Sequence, residues 1–139
     1  MAAATSLVRA KQIVLAAVDA ALAPHGLTFA RFEALALLHF SRTGALPMGK
    51  MGERLQVHPT SVTNAVDRLE AAGLARRRRS PRDRRAVLAE ITPEGRRVVR
   101  AAAGALAEVD FGLGGLDDAG LAAIHESIVP LRRAAGDFG

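Results

Sequence analysis

Four consecutive arginines, Arg76 to Arg79, followed by Arg82, Arg84 and Arg85, restrict this chain more than any other feature. Between Arg76 and Arg85 stand seven arginines and one acid, Asp83, so the segment carries +6 in a chain whose net charge is +5. Like charges packed this densely repel one another, a cost a domain seldom carries without an anionic partner. The flanking residues suggest how the run is displayed. Leu74 to Ser80 and Ala86 to Ile91 read as two strands of a hairpin, with Pro81-Arg82-Asp83-Arg84 as the turn. In the second strand Val87, Ala89 and Ile91 alternate with Leu88 and Glu90.

The rest of the chain reads as helix. Only 4% of residues are aromatic, with no Trp and no Tyr, so the core must be built from Leu, Val, Ile and Ala, which suits closely packed helices. A first helix is expected over Thr5–Ala23, broken by Pro24-His25-Gly26. A second, capped by Thr28, carries Phe29, Phe32, Leu35, Ala36 and Leu38 along one side and ends before Thr43-Gly44. Pro47 to Leu55 makes a short, poor helix because of Gly49 and Gly52. Pro59 opens the next helix and Gly73 stops it. Thr92-Pro93-Glu94 starts a helix running to about Asp110, and Phe111 to Gly115 forms a glycine-rich joint. Asp117 caps the last helix, in which Leu121, Ile124, Ile128 and Leu131 mark an apolar stripe and Pro130 predicts a kink or an early end. At 139 residues this is one domain.

The helix between Pro59 and Gly73 has two unlike faces. Val62, Ala65, Val66 and Leu69 cluster on one side, whereas Thr60, Asn64, Asp67, Arg68 and Ala71 fall opposite, flanked by Ser61 and Thr63. Alone this is an ordinary amphipathic helix with a solvated face. Followed at once by a cationic hairpin, it fits duplex DNA. Asn can bond adenine, Arg guanine, and Ser or Thr several base edges, while the arginines meet phosphates. Arg82, Arg84 and Arg85 at the tip suit a narrow minor groove, and Asp83 reads as the local organiser that holds the turn and aims a neighbouring guanidinium.

Other chemistries find little support. The chain lacks Cys, which excludes disulfides, thiolate metal sites and thiol redox sensing. No nucleophile elbow or Gly-rich phosphate loop is present, so an enzyme is the least expected class. His25, His39, His58 and His125 are scattered without metal-ligand spacing, and neither metal nor cofactor is expected. Phe29 and Phe32 are most simply core, with a small-molecule pocket as the alternative; His39 is most simply a packed residue. No run approaches the roughly 18 apolar residues of a membrane span and the N-terminus lacks a secretory pattern, so a cytoplasmic location is expected.

With these residues in place the chain resembles the MarR family of winged-helix transcription regulators. The resemblance is carried by Val57-His58-Pro59-Thr60-Ser61-Val62-Thr63, Val66-Asp67-Arg68-Leu69-Glu70, Gly73-Leu74, Asp83-Arg84-Arg85 and Ile91-Thr92-Pro93-Glu94-Gly95. The last two are the more specific. The resemblance implies a mainly α fold with a small β-hairpin wing: a winged helix-turn-helix lobe over about 28–92, and dimerisation helices over about 5–23 and 93–135. It further implies a homodimer whose two recognition helices enter successive major grooves of a pseudo-palindromic operator. On this likeness the protein is a repressor relieved by a small aromatic effector, for which Phe29, Phe32 and His39 are the candidate contacts. The DNA-binding set is then Thr60, Ser61, Thr63, Asn64, Arg68, Arg82, Asp83, Arg84 and Arg85. Three departures stand out: Gly52 in place of the usual Ala, His58 in place of a capping Ser, and Pro130 within the last helix. The alternatives are a nonspecific or architectural nucleic-acid-binding protein, and a helical protein-interaction module.

Overall fold

The computed structural model describes residues 1–137. Six helices and three short strands follow in the order α1 (Ala2–Leu22), α2 (Phe29–Phe40), β1 (Ala45–Pro47), α3 (Met48–Leu55), α4 (Pro59–Ala71), β2 (Ala75–Arg79), β3 (Val87–Ile91), α5 (Pro93–Glu108) and α6 (Asp118–Ala134). The expected mainly helical, winged arrangement is present, and α1 begins three residues earlier than the expected start at Thr5. No single helix among the described residues is long and apolar enough to cross a membrane.

One strand was not anticipated. β1 pairs antiparallel with β3, Ala45 opposite Glu90 and Pro47 opposite Leu88, so the hairpin is the outer part of a three-stranded sheet ordered β1-β3-β2. This third strand roots the hairpin: β3 is bonded on both sides and cannot swing as an isolated ribbon.

The helix starts follow the residues that cap them. Thr28 accepts from the Arg31 amide at 3.4 Å, Thr92 from Gly95 at 3.0 Å and Asp117 from Gly120 at 2.8 Å. His58 also caps, through an acceptor that a Ser would replace with oxygen: its Nδ1 takes the Thr60 amide at 3.1 Å. At Gly52 an added Cβ would lie 3.4 Å from the Val57 carbonyl oxygen and 3.5 Å from Val62, ordinary contacts that this chain forgoes. α6 runs through Pro130 to Ala134, so the early end does not occur. The helix is largely exposed there, and water can serve the carbonyl that lacks an N–H partner.

One core joins the elements. Val18 and Leu22 of α1, Leu35 and Leu38 of α2, Val62, Val66 and Leu69 of α4, and Val99 and Leu106 of α5 are all at most 2% exposed. Asp19 ties the first two helices by accepting the Phe29 amide at 2.8 Å. The Thr-Pro-Glu-Gly start of α5 is a structural joint. The Thr92 hydroxyl donates to the Gly73 carbonyl at 2.7 Å, its amide to the Leu74 carbonyl at 3.0 Å, and the first turn of α5 lies directly on that backbone. A Cβ at Gly95 would stand 2.1 Å from the Leu74 oxygen. Gly95→Ala is therefore expected to destabilise the chain by about 1–3 kcal/mol or more, read as a lowered midpoint in thermal unfolding. An unchanged midpoint would show that wing and α5 can part freely.

Between α5 and α6 the chain turns through three consecutive left-handed residues, Asp110 (φ 48°), Phe111 (φ 52°) and Gly112 (φ 75°). Gly112 packs on α1, where a Cβ would lie 3.1 Å from the Val14 oxygen. The expected glycine-rich joint is thus a tight corner held against the first helix.

Candidate nucleic-acid interface

The polar face of α4 is exposed as its periodicity requires. Thr60, Ser61, Thr63, Asn64 and Arg68 all reach solvent while Val62, Val66 and Leu69 are buried. At 100° per residue Thr60 and Asn64 stand outermost; Ser61 and Arg68 lean toward α2, and Thr63, Asp67 and Glu70 toward the wing. The Thr63 hydroxyl is partly committed, donating to the Pro59 carbonyl one turn back at 3.1 Å.

The arginine run divides in a way its composition does not show. Arg77 points from β2 onto α4. Its guanidinium reaches Asp67 at 2.6 Å and Glu70 at 3.0 Å, and its backbone amide donates to Glu70 at 2.8 Å. Burial alone would lower the pKa of Arg77; the hydrogen bonds with Asp67 and Glu70 more than reverse it and hold the cation in place. On the opposite side of the strand Arg76 meets Glu90 at 2.7 Å, and Arg78 bonds the other oxygen of the same carboxylate. Register explains the pair: Arg76 lies directly across from Glu90, Arg78 across from Leu88 and so diagonal to it. The hydrogen bond from Arg76, joined by that from Arg78, holds Glu90 below the usual carboxylate range although burial opposes it.

Three of the seven arginines are therefore engaged within the fold, Arg76 and Arg78 sharing the single charge of Glu90. Arg79, Arg82, Arg84 and Arg85 carry no ion pair among the described residues, and all four are exposed. These are the cations left for an outside anion, gathered at the end of β2 and the turn. Ser80 Oγ accepts the Arg82 and Asp83 amides, each at 3.3 Å, and Asp83 Oδ1 accepts the Arg85 amide at 2.9 Å. Asp83 organises the turn as expected, but through backbone N–H; it forms no ion pair with a neighbouring guanidinium. Ser80 and the Arg77 clasp were missed from sequence. Alternation along Arg76–Arg79, set against acids at 67, 70 and 90, is the signal that could have found the clasp.

The three effector candidates are not gathered into one place. Phe29 and Phe32 are half-buried against the core near the start of α2. His39 lies about 15 Å of helix rise beyond Phe29. There it meets Arg96 Nη1 at 3.4 Å through Nδ1 and the ring of Phe40 edge-on at 5.0 Å. Burial lowers the His39 pKa, and the charges of Arg100 and Arg96 lower it further. No group of three or more His, Cys, Asp or Glu among the described residues is placed to hold a metal ion.

This arrangement has close counterparts. Sco5413, a MarR family transcriptional regulator from Streptomyces coelicolor, superposes with a TM-score of 0.94 at 56% identity, covering 100% of this chain and 96% of that one. The chain belongs to the MarR family. The MarR family sequence signature itself matches residues 25–86, which take in the stretch from α2 through the wing turn. The HTH-type transcriptional regulator MhqR of Bacillus subtilis is 38% identical over 71 residues, 51% of this chain and 48% of that protein. The matched stretch thus spans about half the length of this curated MarR-type relative. BpsR of Bordetella bronchiseptica, whose DNA binding is regulated by 6-hydroxynicotinic acid, shares 27% identity and a TM-score of 0.80 over 97% of this chain and 99% of that one.

Proposed function

We propose that this chain is a sequence-specific DNA-binding transcriptional regulator that acts as a homodimer and represses. The observation that carries the reading is the pairing of an exposed polar helix with a fold-anchored wing tip whose arginines have no ion pair among the described residues. Thr60, Ser61, Asn64 and Arg68 then face base edges and phosphates in a major groove, and Arg82, Arg84 and Arg85 reach the adjoining minor groove. Thr63 and Asp83 serve that surface from within, as a helix-bound hydroxyl and a turn former. The lobe over about 28–92 is the DNA reader.

A second copy is called for by the helices outside that lobe. α6 buries none of its residues, yet Leu121, Ile124 and Leu131 lie along it exposed, and Leu7, Val8 and Ile13 are exposed on α1. A 17-residue helix with an apolar stripe gains nothing from being displayed to water. Two copies joined there would set the α4 helices on half-sites about 34–36 Å apart. A small aromatic ligand relieving DNA binding is the regulatory part of the proposal, supported by the likeness to BpsR.

The test is selection of bound duplexes from a random pool, followed by competition at fixed salt. A preference of about 10³ or more for the selected sequence over random duplex is expected. Tight binding with no such preference would make the chain a nonspecific nucleic-acid-binding protein instead.

A further inference from the structure

Between the polar face of α4 and the first turn of α2 lies an open groove of about 730 Å³. Arg31 lines one wall; Ser61, Asn64 and Arg68 line the other. Neither arginine carries an ion pair among the described residues. The one carboxylate bordering the groove, Asp67, is already held by Arg77 at 2.6 Å. Arg31 springs from a fixed point, since its amide is the one capped by Thr28. The groove is therefore a built recess with two unneutralised cations, beside the helix that faces DNA.

A helix seated in a major groove about 12 Å wide has a row of phosphates on each side. The wing arginines serve one side only. We propose that Arg31, together with Arg68, binds a backbone phosphate of the opposite row, making a second cationic wall that the wing-centred reading lacks. This rests on the DNA-binding reading above. The site takes a phosphodiester and carries no sequence information, so Arg31 fixes how α4 is seated and leaves base choice to its neighbours.

Salt titration of the full-length chain tests it, using a duplex selected from a random pool and a random duplex of equal length. Arg31→Ala should flatten the log–log salt slope by about 0.9 per subunit, about 1.8 per dimer. Raising salt fourfold should then shrink the deficit of the variant about twelvefold. The loss should be equal on both duplexes, and Arg31→Lys should restore the slope. Alanine suits a helix, so the melting midpoint should hold. A wild-type slope and affinity in Arg31→Ala would overturn the site. So would a loss with the slope unmoved, which marks a structural role, or a loss confined to the selected duplex, which marks a base contact. A wild-type chain that binds neither duplex would sink the DNA-binding reading itself, and the site with it.

Discussion

Replacing Arg84 and Arg85 together with alanine is expected to cut affinity for a selected operator about 10²–10³-fold while leaving the melting midpoint where it was. Both side chains are exposed and neither has an ion pair among the described residues, so truncation takes nothing from the fold. The turn survives as well, because Asp83 holds the backbone amide of residue 85, which alanine keeps. In a dimer the double substitution removes four guanidiniums, and the salt slope should fall by up to about 3.6. Arg77→Ala supplies the contrast. It removes a cation of the same run, yet one spent on Asp67 and Glu70. Its effect should be a lower melting midpoint and weaker binding with the slope little changed, since no phosphate contact is lost. Isothermal or anisotropy titration at several salt concentrations, beside thermal unfolding, separates the two. Full affinity in the Arg84, Arg85 variant would remove the wing from the interface.

That contrast also marks where the sequence was legible. Helix α4 and its two faces could be read from 3.6-residue periodicity, because burial of Val62, Val66 and Leu69 is a local consequence of spacing. Capping by Thr28, Thr92 and Asp117 was equally local. β1 was not, since three residues ending in Pro47 have no pattern of their own and become a strand only by pairing with β3, more than 40 residues away. The division of the arginines failed for a related reason. Arg76, Arg77 and Arg78 are identical as residues, and only the packing of one strand face on α4 gives Arg77 a role its neighbours lack. Arg31 escaped notice because it stands in a different element from the rest of the DNA-facing set, joined to it by the fold alone. Phe29, Phe32 and His39 share a helix, and shared periodicity does not bring its two ends together.

Glutamates at Leu121 and Ile124 are expected to separate the proposed dimer and, through that, to weaken operator binding about 10²–10⁴-fold. In one chain these positions cost little to change, for α6 buries no residue and Leu121 and Ile124 are 36% and 43% exposed. In a two-fold interface each substitution occurs twice, and four carboxylates would be taken out of water. The core that links α1, α2, α4 and α5 does not include α6, so helix content should persist in the separated chain. DNA binding should fall even though every residue of α4 and the wing is intact, because the second half-site is no longer presented at the high local concentration that linkage provides. Sedimentation velocity at micromolar concentration reads the first effect and operator titration the second. Should the variant sediment as a dimer, the exposed stripe of α6 serves some other contact; should it be a monomer with unreduced affinity, a single lobe suffices and the palindromic reading of the operator falls.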